Sequence, residues 1–399
     1  MMLRLPLPAL ALAALLCACS KQKEEPPPTG PQGAATARQP EKKPIPVGLV
    51  IDVGGRGDHS FNDAALRGLE LYAAGKRYEG GKYVDATPDE VRQSLPPHLA
   101  SLATTLQPLP VKPMVLQSKA QEDYTPNLQL LVDQGAQLTV GNGYMLANAV
   151  RAAAQENPKA NFLLIDSQVL DAQGKALKLP NVRTVLFKEQ EGSFLVGALA
   201  GLVTKTNKVG FVGGIEVPLI QRFEVGYRAG VKTTNPQAAE SLLSVYTGSF
   251  NNMAAGKQVA QDLIAKGADI IFHAAGADGI GVIQAVKEAR AAGKTVYAIG
   301  VDSDQSHVAP DAILTSMMKH TDLAIYNAAR DLVDGKFSAG EQVLGLKENG
   351  VGMAEVRLDI PGKAEALQKV EALRQRIVSG QLVVPAVPAD LATFQAAAP

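Results

Sequence analysis

Tryptophan is absent from these 399 residues, cysteine occurs twice, histidine five times, and 39 basic side chains are balanced by 39 acidic ones. Each shortage excludes something. Without Trp, any aromatic platform must be built from Phe or Tyr. Two cysteines cannot make a disulfide framework or a Cys-rich zinc site. His59, His98, His273, His307 and His320 make no H-E-x-x-H or other metal spacing, so no metal is expected. A net charge of zero leaves no electrostatic case for a nucleic-acid partner, because duplex binding rests largely on cationic neutralisation of phosphates. The P-loop pattern G-x-x-x-x-G-K-[ST] and the G-x-S-x-G elbow do not occur, and Gly276-x-x-Gly279-x-Gly281 has its glycines in the wrong order for a dinucleotide fingerprint. No catalytic residue and no cofactor is therefore assigned. What remains is globular in composition, 46% hydrophobic and 20% charged, and long enough for two cores.

The two cysteines sit together near the start. Arg4 precedes an apolar run, Leu5 to Leu16, too short to span a bilayer and of the length of a signal h-region. It ends in Leu16-Cys17-Ala18-Cys19, which resembles the lipobox of bacterial lipoproteins, with an aliphatic residue three before the cysteine and a small one just before it. By that pattern residues 1–18 are a lipoprotein signal peptide and Cys19 is the lipidated first residue of the mature chain. Cleavage removes Arg4 alone among the charges, leaving a mature net charge of −1. The polar, Pro-rich stretch to residue 46 has nothing to build a core from and reads as a tether. An anchored module in the cell envelope, facing the periplasm or exterior, is expected, held to the membrane by lipid.

From residue 45 onward short apolar runs alternate with helical periodicity. The strand candidates are 45–51, 112–117, 137–141, 161–166 and 183–187, then 208–213, 241–246, 268–275, 295–301 and 312–318. Strands that are apolar on both faces and alternate with helices indicate parallel sheets covered on both sides. Ten are about twice what one such domain needs, so the fold class is α/β with two doubly wound parallel-sheet lobes. Ser60 followed three residues later by Asp63 predicts a capping box for a helix from Phe61. Residues 76–111, polar and rich in Pro, read as a surface insertion.

In open parallel sheets ligands bind beyond the carboxyl ends of the strands. There the sequence places Asp52, Asp58, Phe61 and Asn62, then Asn142-Gly143-Tyr144, Asp166, Phe250, Gly276, Asp302 and Lys319. Carboxylates accept hydrogen bonds from vicinal hydroxyls, Asn offers donor and acceptor to a base edge, and Phe or Tyr rings stack. The set suits a neutral, flat, hydroxylated ligand. Singly, an Asp after a strand is as readily a helix cap, and Phe61 or Phe250 a core residue. The weight lies in so many at equivalent positions.

These residues fall within an ordered series of motifs: SFND at 60–63, FLLID at 162–166, FKEQEGSFLVGALAGL at 187–202, KVGFVGG at 208–214, GYRAGV at 226–231, TGSFNNMAAGK at 247–257, HAAGADGIGV at 273–282 and IGVDSDQ at 299–305. From about residue 47 to 357 the chain resembles the basic membrane protein family, bacterial lipoproteins that serve as nucleoside-binding subunits of ATP-driven importers. The resemblance implies a type I periplasmic-binding-protein-like fold whose two lobes, joined by a hinge, close over a purine nucleoside. Phe61 and Asn62 would meet the base, with Asp166 as a further polar contact. Phe250 would stack on the ring, Gly276 would admit the backbone, and Asp302 would hold the ribose hydroxyls with Lys319 as its charge partner. Tyr144 stands where the family usually has Phe, which keeps a stacking face. Asn251-Asn252 stand where an Asp is common, and the insertion 76–111 is longer than usual.

The expected organisation is a first lobe from 47–168 plus about 303–335, a second from 169–302 plus about 336–360, and a C-terminal helix and tail over 361–399. The expected partners are a purine nucleoside, ABC-type permease and ATPase subunits, and the membrane through the lipid anchor; a monomer is expected. The rival readings are a receptor or sensor for another small solute, and a nucleoside-processing enzyme. A transcription factor of the same architecture would need a helix-turn-helix that the N-terminus lacks.

Overall fold

All ten apolar runs become strands, and four more appear. The computed structural model describes residues 43–95 and 97–395; the expected signal peptide, Cys19 and all but the last residues of the tether lie outside them. In chain order the strands are β1 Ile45–Ile51, β2 Lys76–Glu79, β3 Lys82–Asp85, β4 Val111–Gln117, β5 Leu138–Asn142, β6 Asn161–Ile165 and β7 Val182–Phe187. There follow β8 Val209–Gly213, β9 Leu243–Tyr246, β10 Ile270–Ala274, β11 Tyr297–Asp302, β12 Ile313–Lys319, β13 Gly340–Leu344 and β14 Val351–Met353.

One sheet runs β13-β7-β6-β5-β1-β4, parallel throughout, and the other β14-β12-β11-β10-β8-β9, parallel except for β14. The five inner strands of each sheet follow the same 2-1-3-4-5 order, so each has its topological switch point beside its first strand. In the first sheet that point lies between β1 and β5, with Ile51 opposite Asn142 at the carboxyl end. In the second it lies between β8 and β10, with Gly213 opposite Ala274.

The lobe boundaries differ from the expected 168/169 and 302/303. β7 pairs in parallel with β6 and stays in the first sheet, while β12 pairs with β11 and stays in the second. The chain first crosses after the fifth strand of each sheet, β7 and β12. Helix Glu189–Val203 then packs on helix Pro218–Thr234 and on β12 and β14, whereas helix Thr321–Val333 packs on the wide helical turns Arg67–Ala73. A third crossing, residues 345–350, joins β13 to β14. The crossings are pinned side by side: Lys188 N donates to Leu344 O at 2.9 Å, and His320 N to Gly350 O at 2.8 Å. Apolar continuity of a strand decides its sheet, but which lobe covers the following helix depends on tertiary packing, and this moved the boundaries.

Helices Glu189–Val203 and Pro218–Thr234 meet backbone to backbone. A Cβ on Gly230 would lie 2.1 Å from Phe194 O, and one on Gly197 2.2 Å from Tyr227 O, so neither position has room for a side chain.

The insertion is partly a surface element and partly core. Its hairpin, β2 with β3, is largely exposed, but Val91, Leu95, Leu99 and Leu106 are buried in the first lobe's core. Helix Lys363–Val378 buries Ala366, Val370, Leu373 and Ile377 and packs on helix Glu189–Val203. Among the described residues no helix is long and apolar enough to cross a membrane.

Candidate functional site

A cavity lies between the lobes, where the two switch points face each other. All eight residues named from the sequence line it: Phe61, Asn62, Tyr144 and Asp166 from the first lobe, and Phe250, Gly276, Asp302 and Lys319 from the second.

Each is placed by the strand it follows. Asp166 follows β6 and Asp302 ends β11, the fourth inner strand of each sheet, and both take a left-handed backbone, φ 67° and 63°. Asp tolerates that region better than most residues, and such outliers gather at ligand sites. Gly276, after β10, also has positive φ, 54°, and a Cβ there would lie 3.2 Å from Phe250 O. The bare backbone lets Ala277 N donate to Phe250 O at 3.0 Å, which holds the Phe250 segment beside the end of β10.

On the first-lobe side the polar atoms form a chain. Asn62 Nδ2 donates to Asp52 Oδ1 at 2.7 Å, Gly54 N to the same oxygen at 2.9 Å, and Asn142 Nδ2 to Asn62 Oδ1 at 3.3 Å. The helix start is capped differently from the Ser60/Asp63 box read from the sequence. Asp58 accepts from the backbone N–H of Ser60, Asn62 and Asp63, while Asp63 accepts from Gly57 N and His59 N. The Ser60 hydroxyl is thereby released and donates across the cleft to Asp302 Oδ2 at 2.5 Å.

Lys319 also reaches across, but not to the expected partner. Its Nζ donates to Asp166 Oδ2 at 2.5 Å and lies 3.5 Å from Glu189 Oε1, whose other oxygen accepts from Arg222 Nε at 2.7 Å. Asp302 takes the Ser60 hydroxyl instead and is influenced by Lys319 only through space. The rings of Phe61, Phe187 and Phe223 surround the ammonium at 5.0, 5.2 and 5.6 Å, a range at which ring faces attract a cation.

Burial dominates the electrostatics. It opposes the charge on Lys319, but the carboxylates of Asp166, Glu189 and Asp302 outweigh it and hold the ammonium above its usual value. Burial pushes Asp302 and Asp166 up against the pull of Lys319, and Asp52 up against its bond from Asn62. Burial, helped by the charge of Asp63, takes Asp58 to about 7. Asp166 Oδ1 and Asn142 Oδ1 are buried acceptors without a protein partner. The chemistry on offer is therefore acceptor-rich, with its cation already engaged. Among the described residues no group of three or more His, Cys, Asp or Glu could hold a metal ion.

Leu219, Ile220 and Phe223 also line the cavity and were not singled out in the sequence, since they lie between the motifs at 208–214 and 226–231. They occupy the first turns of helix Pro218–Thr234, which starts with Pro at its first helical position. That proline marks a helix start after β8, topologically the counterpart of Phe61 after β1, and was the available signal.

Comparison with known proteins places this arrangement. A profile of the family described as ABC transporter substrate-binding protein PnrA-like matches residues 45–387. The CD4+ T-cell-stimulating antigen of Listeria monocytogenes is 35% identical over 358 residues, covering 87% of this chain and 89% of its own. A protein of Lactococcus lactis named ABC transporter nucleoside-binding protein BmpA is 30% identical over 357 residues, covering 86% and 90%. The crystal structure of an ABC transporter solute-binding protein from Aeropyrum pernix superimposes with a TM-score of 0.69 at 27% identity, covering 88% of this chain and 96% of the other. The matched family is one of substrate-binding proteins and not of enzymes. With 343 of its residues matched, the chain belongs to the basic membrane protein family, the PnrA-like substrate-binding proteins of ABC transporters.

Proposed function

We propose that this protein captures a nucleoside, most favourably a purine nucleoside, between its lobes and delivers it to an ATP-driven permease, working from a membrane to which Cys19 is lipid-anchored. The observation that carries the ligand class is the makeup of the cavity: aromatic faces from Phe61, Tyr144, Phe223 and Phe250 beside acceptor groups from Asp52, Asp166 and Asp302, with Lys319 already paired. A phosphate would meet a cluster of carboxylates and no free cation, whereas sugar hydroxyls would donate to them. The name of the Lactococcus relative supports the same reading.

In this reading Phe61, Tyr144 and Phe250 grip the base, and Asn62 and Asp166 meet its polar edge. Asp302 accepts from the ribose hydroxyls, and Gly276 leaves room for the ligand against the backbone. Lys319 keeps Asp166 ionised and oriented. The ligand favours the closed state because only there does it touch both lobes. Isothermal titration calorimetry with guanosine, adenosine, inosine and the pyrimidine nucleosides tests the proposal; binding at about 1 μM or tighter, near −8 kcal/mol, is expected for at least one purine. No heat with the full panel would sink it. Asp302→Ala should weaken ribonucleosides far more than free bases, and equal losses would refute the ribose role.

A further inference from the structure

The loop between β1 and the first helix carries Asp52, Gly54, Asp58 and Ser60, four residues at the cavity or across it, yet it is built from residues that confer freedom. It contains Gly54, Gly55 and Gly57, the last two at φ 67° and 94°, and His59 is left-handed at 51°. Glycine loses more backbone entropy on ordering than any other residue, so such a loop needs an external hold.

Beside the bonds that Asp52, Asp58 and Asp63 accept from the loop's own backbone, a hold comes from Glu70 and, behind it, the insertion. Arg56, in the middle of the loop, donates both guanidinium nitrogens to Glu70, Nη1 to Oε2 at 3.0 Å and Nη2 to Oε1 at 2.8 Å. Glu70 is 4% exposed, on the wide turns Arg67–Ala73. The third bond to this carboxylate comes from Tyr83 of β3, whose hydroxyl donates to Oε1 at 2.7 Å. Tyr78 of β2 lies under the guanidinium, with Arg56 Cζ 4.6 Å from its ring centroid, and meets the Tyr83 ring edge-on at 5.2 Å. Both tyrosines of the hairpin are thus engaged by the Arg56–Glu70 pair, which ties the loop to the turns Arg67–Ala73. A bidentate Arg–carboxylate bond fixes orientation as well as distance, and it is strongest where the carboxylate is shielded from water.

We infer that the hairpin Lys76–Asp85 is a clamp on the ligand-gripping loop: Tyr83 and Tyr78 position the Arg56–Glu70 pair, and through it set how firmly the 52–60 loop holds a ligand. Tyr78, Tyr83, Arg56 and Glu70 are positioning residues and do not touch the cavity. The link to affinity rests on the nucleoside reading above; the link to loop order does not.

The test compares Tyr83→Phe, which removes only a hydroxyl, and Tyr78→Ala with the unmodified protein. Amide hydrogen exchange reads the loop and stopped-flow reads release of the tightest-binding purine nucleoside. The clamp predicts exchange in 53–60 faster by about fivefold or more, unchanged exchange in β5 and β10, and a matching rise in ligand off-rate with little change in on-rate. Arg56→Lys, which keeps the charge but not the fork, should behave like Tyr83→Phe. Unchanged exchange in 53–60 would overturn the clamp, and faster exchange with an unaltered off-rate would overturn its role in binding. If the unmodified protein binds no nucleoside, the nucleoside reading fails, and the exchange comparison alone still decides whether the hairpin holds the loop.

Discussion

Lys319 is 2% exposed and stands between two carboxylates, Asp166 on one lobe and Glu189 at the crossing, with Asp302 close enough to feel its charge. Removing one partner of a buried ion group leaves the others unpaired in low dielectric, at ~3–5 kcal/mol. Lys319→Met should therefore cost about that much stability in urea unfolding, and Lys319→Met with Asp166→Asn should recover a part of it. A loss below ~1 kcal/mol, the range of exposed pairs, would show the cluster to be solvated. At this scale the sequence was informative about place and less so about partnership. Position after a strand named Asp166, Asp302 and Lys319 because the parallel α/β plan sends every strand's carboxyl end toward the cleft. It could not tell that Ser60 would bond Asp302 and leave Lys319 to Asp166, since those choices span more than 150 residues. Local pattern also misread the cap: Asp58 sits two residues before Ser60 and reaches the N–H groups first.

Elements, too, were legible in proportion to their burial. Eight of the ten strands read as apolar runs are nearly all buried, and the edge strands β4 and β9 are half-buried, while β13, Gly-Glu-Gln-Val-Leu, is exposed at four of five positions and β14 is three residues long. Neither offers a period to detect. The hairpin of β2 and β3 was hidden for the same reason, its outer residues being Lys, Arg, Tyr and Glu. Helix approach gives a sharp prediction. Gly230→Ala forces a methyl to within 2.1 Å of Phe194 O unless the helices part, and overpacking of a tight core contact costs ~1–3 kcal/mol. Thermal unfolding should show the loss, and ligand affinity should fall as well, because the same helix presents Leu219, Ile220 and Phe223 to the cavity. Alanine tolerated at full stability would mean that the helices are freer than their backbone distance indicates.

As a whole molecule the protein is held shut by polar contacts between its lobes. Ser60 to Asp302, Lys319 to Asp166, Asn251 Nδ2 to Val53 O at 3.3 Å, and His59 Nδ1 to His307 Nε2 at 3.2 Å all cross the cleft. With Ser303 Oγ donating to Ser60 O at 3.4 Å and Arg67 Nη2 to Ser303 Oγ at 3.2 Å, the contacts are polar and in part exposed, each of modest net worth against water, so a ligand bridging the lobes should shift the balance. Small-angle X-ray scattering should give a larger radius of gyration without nucleoside than with it. Identical curves would mean that the cavity loads without lobe movement. The two-lobe plan itself was plain from ten alternating strands, but the points of crossing were not, because residues 188 and 320 carry no composition that marks a hinge, and the glycines and Asn349 of 345–350 mark a turn without telling which sheets it joins.

Those crossings have a consequence for how the chain comes to be folded. The first sheet's edge partner β13 is supplied by residues 340–344, after every inner strand of the second sheet. During synthesis or export, β7 must wait with an unpaired edge while some 150 further residues appear, and unpaired edges invite association with other chains. Neither lobe is a contiguous stretch that could be expressed by itself, and a truncation near residue 339 would strip a strand from both sheets at once. The protein should thus mature late and as one cooperative unit, its assembly completed only when its last seventh or so has arrived.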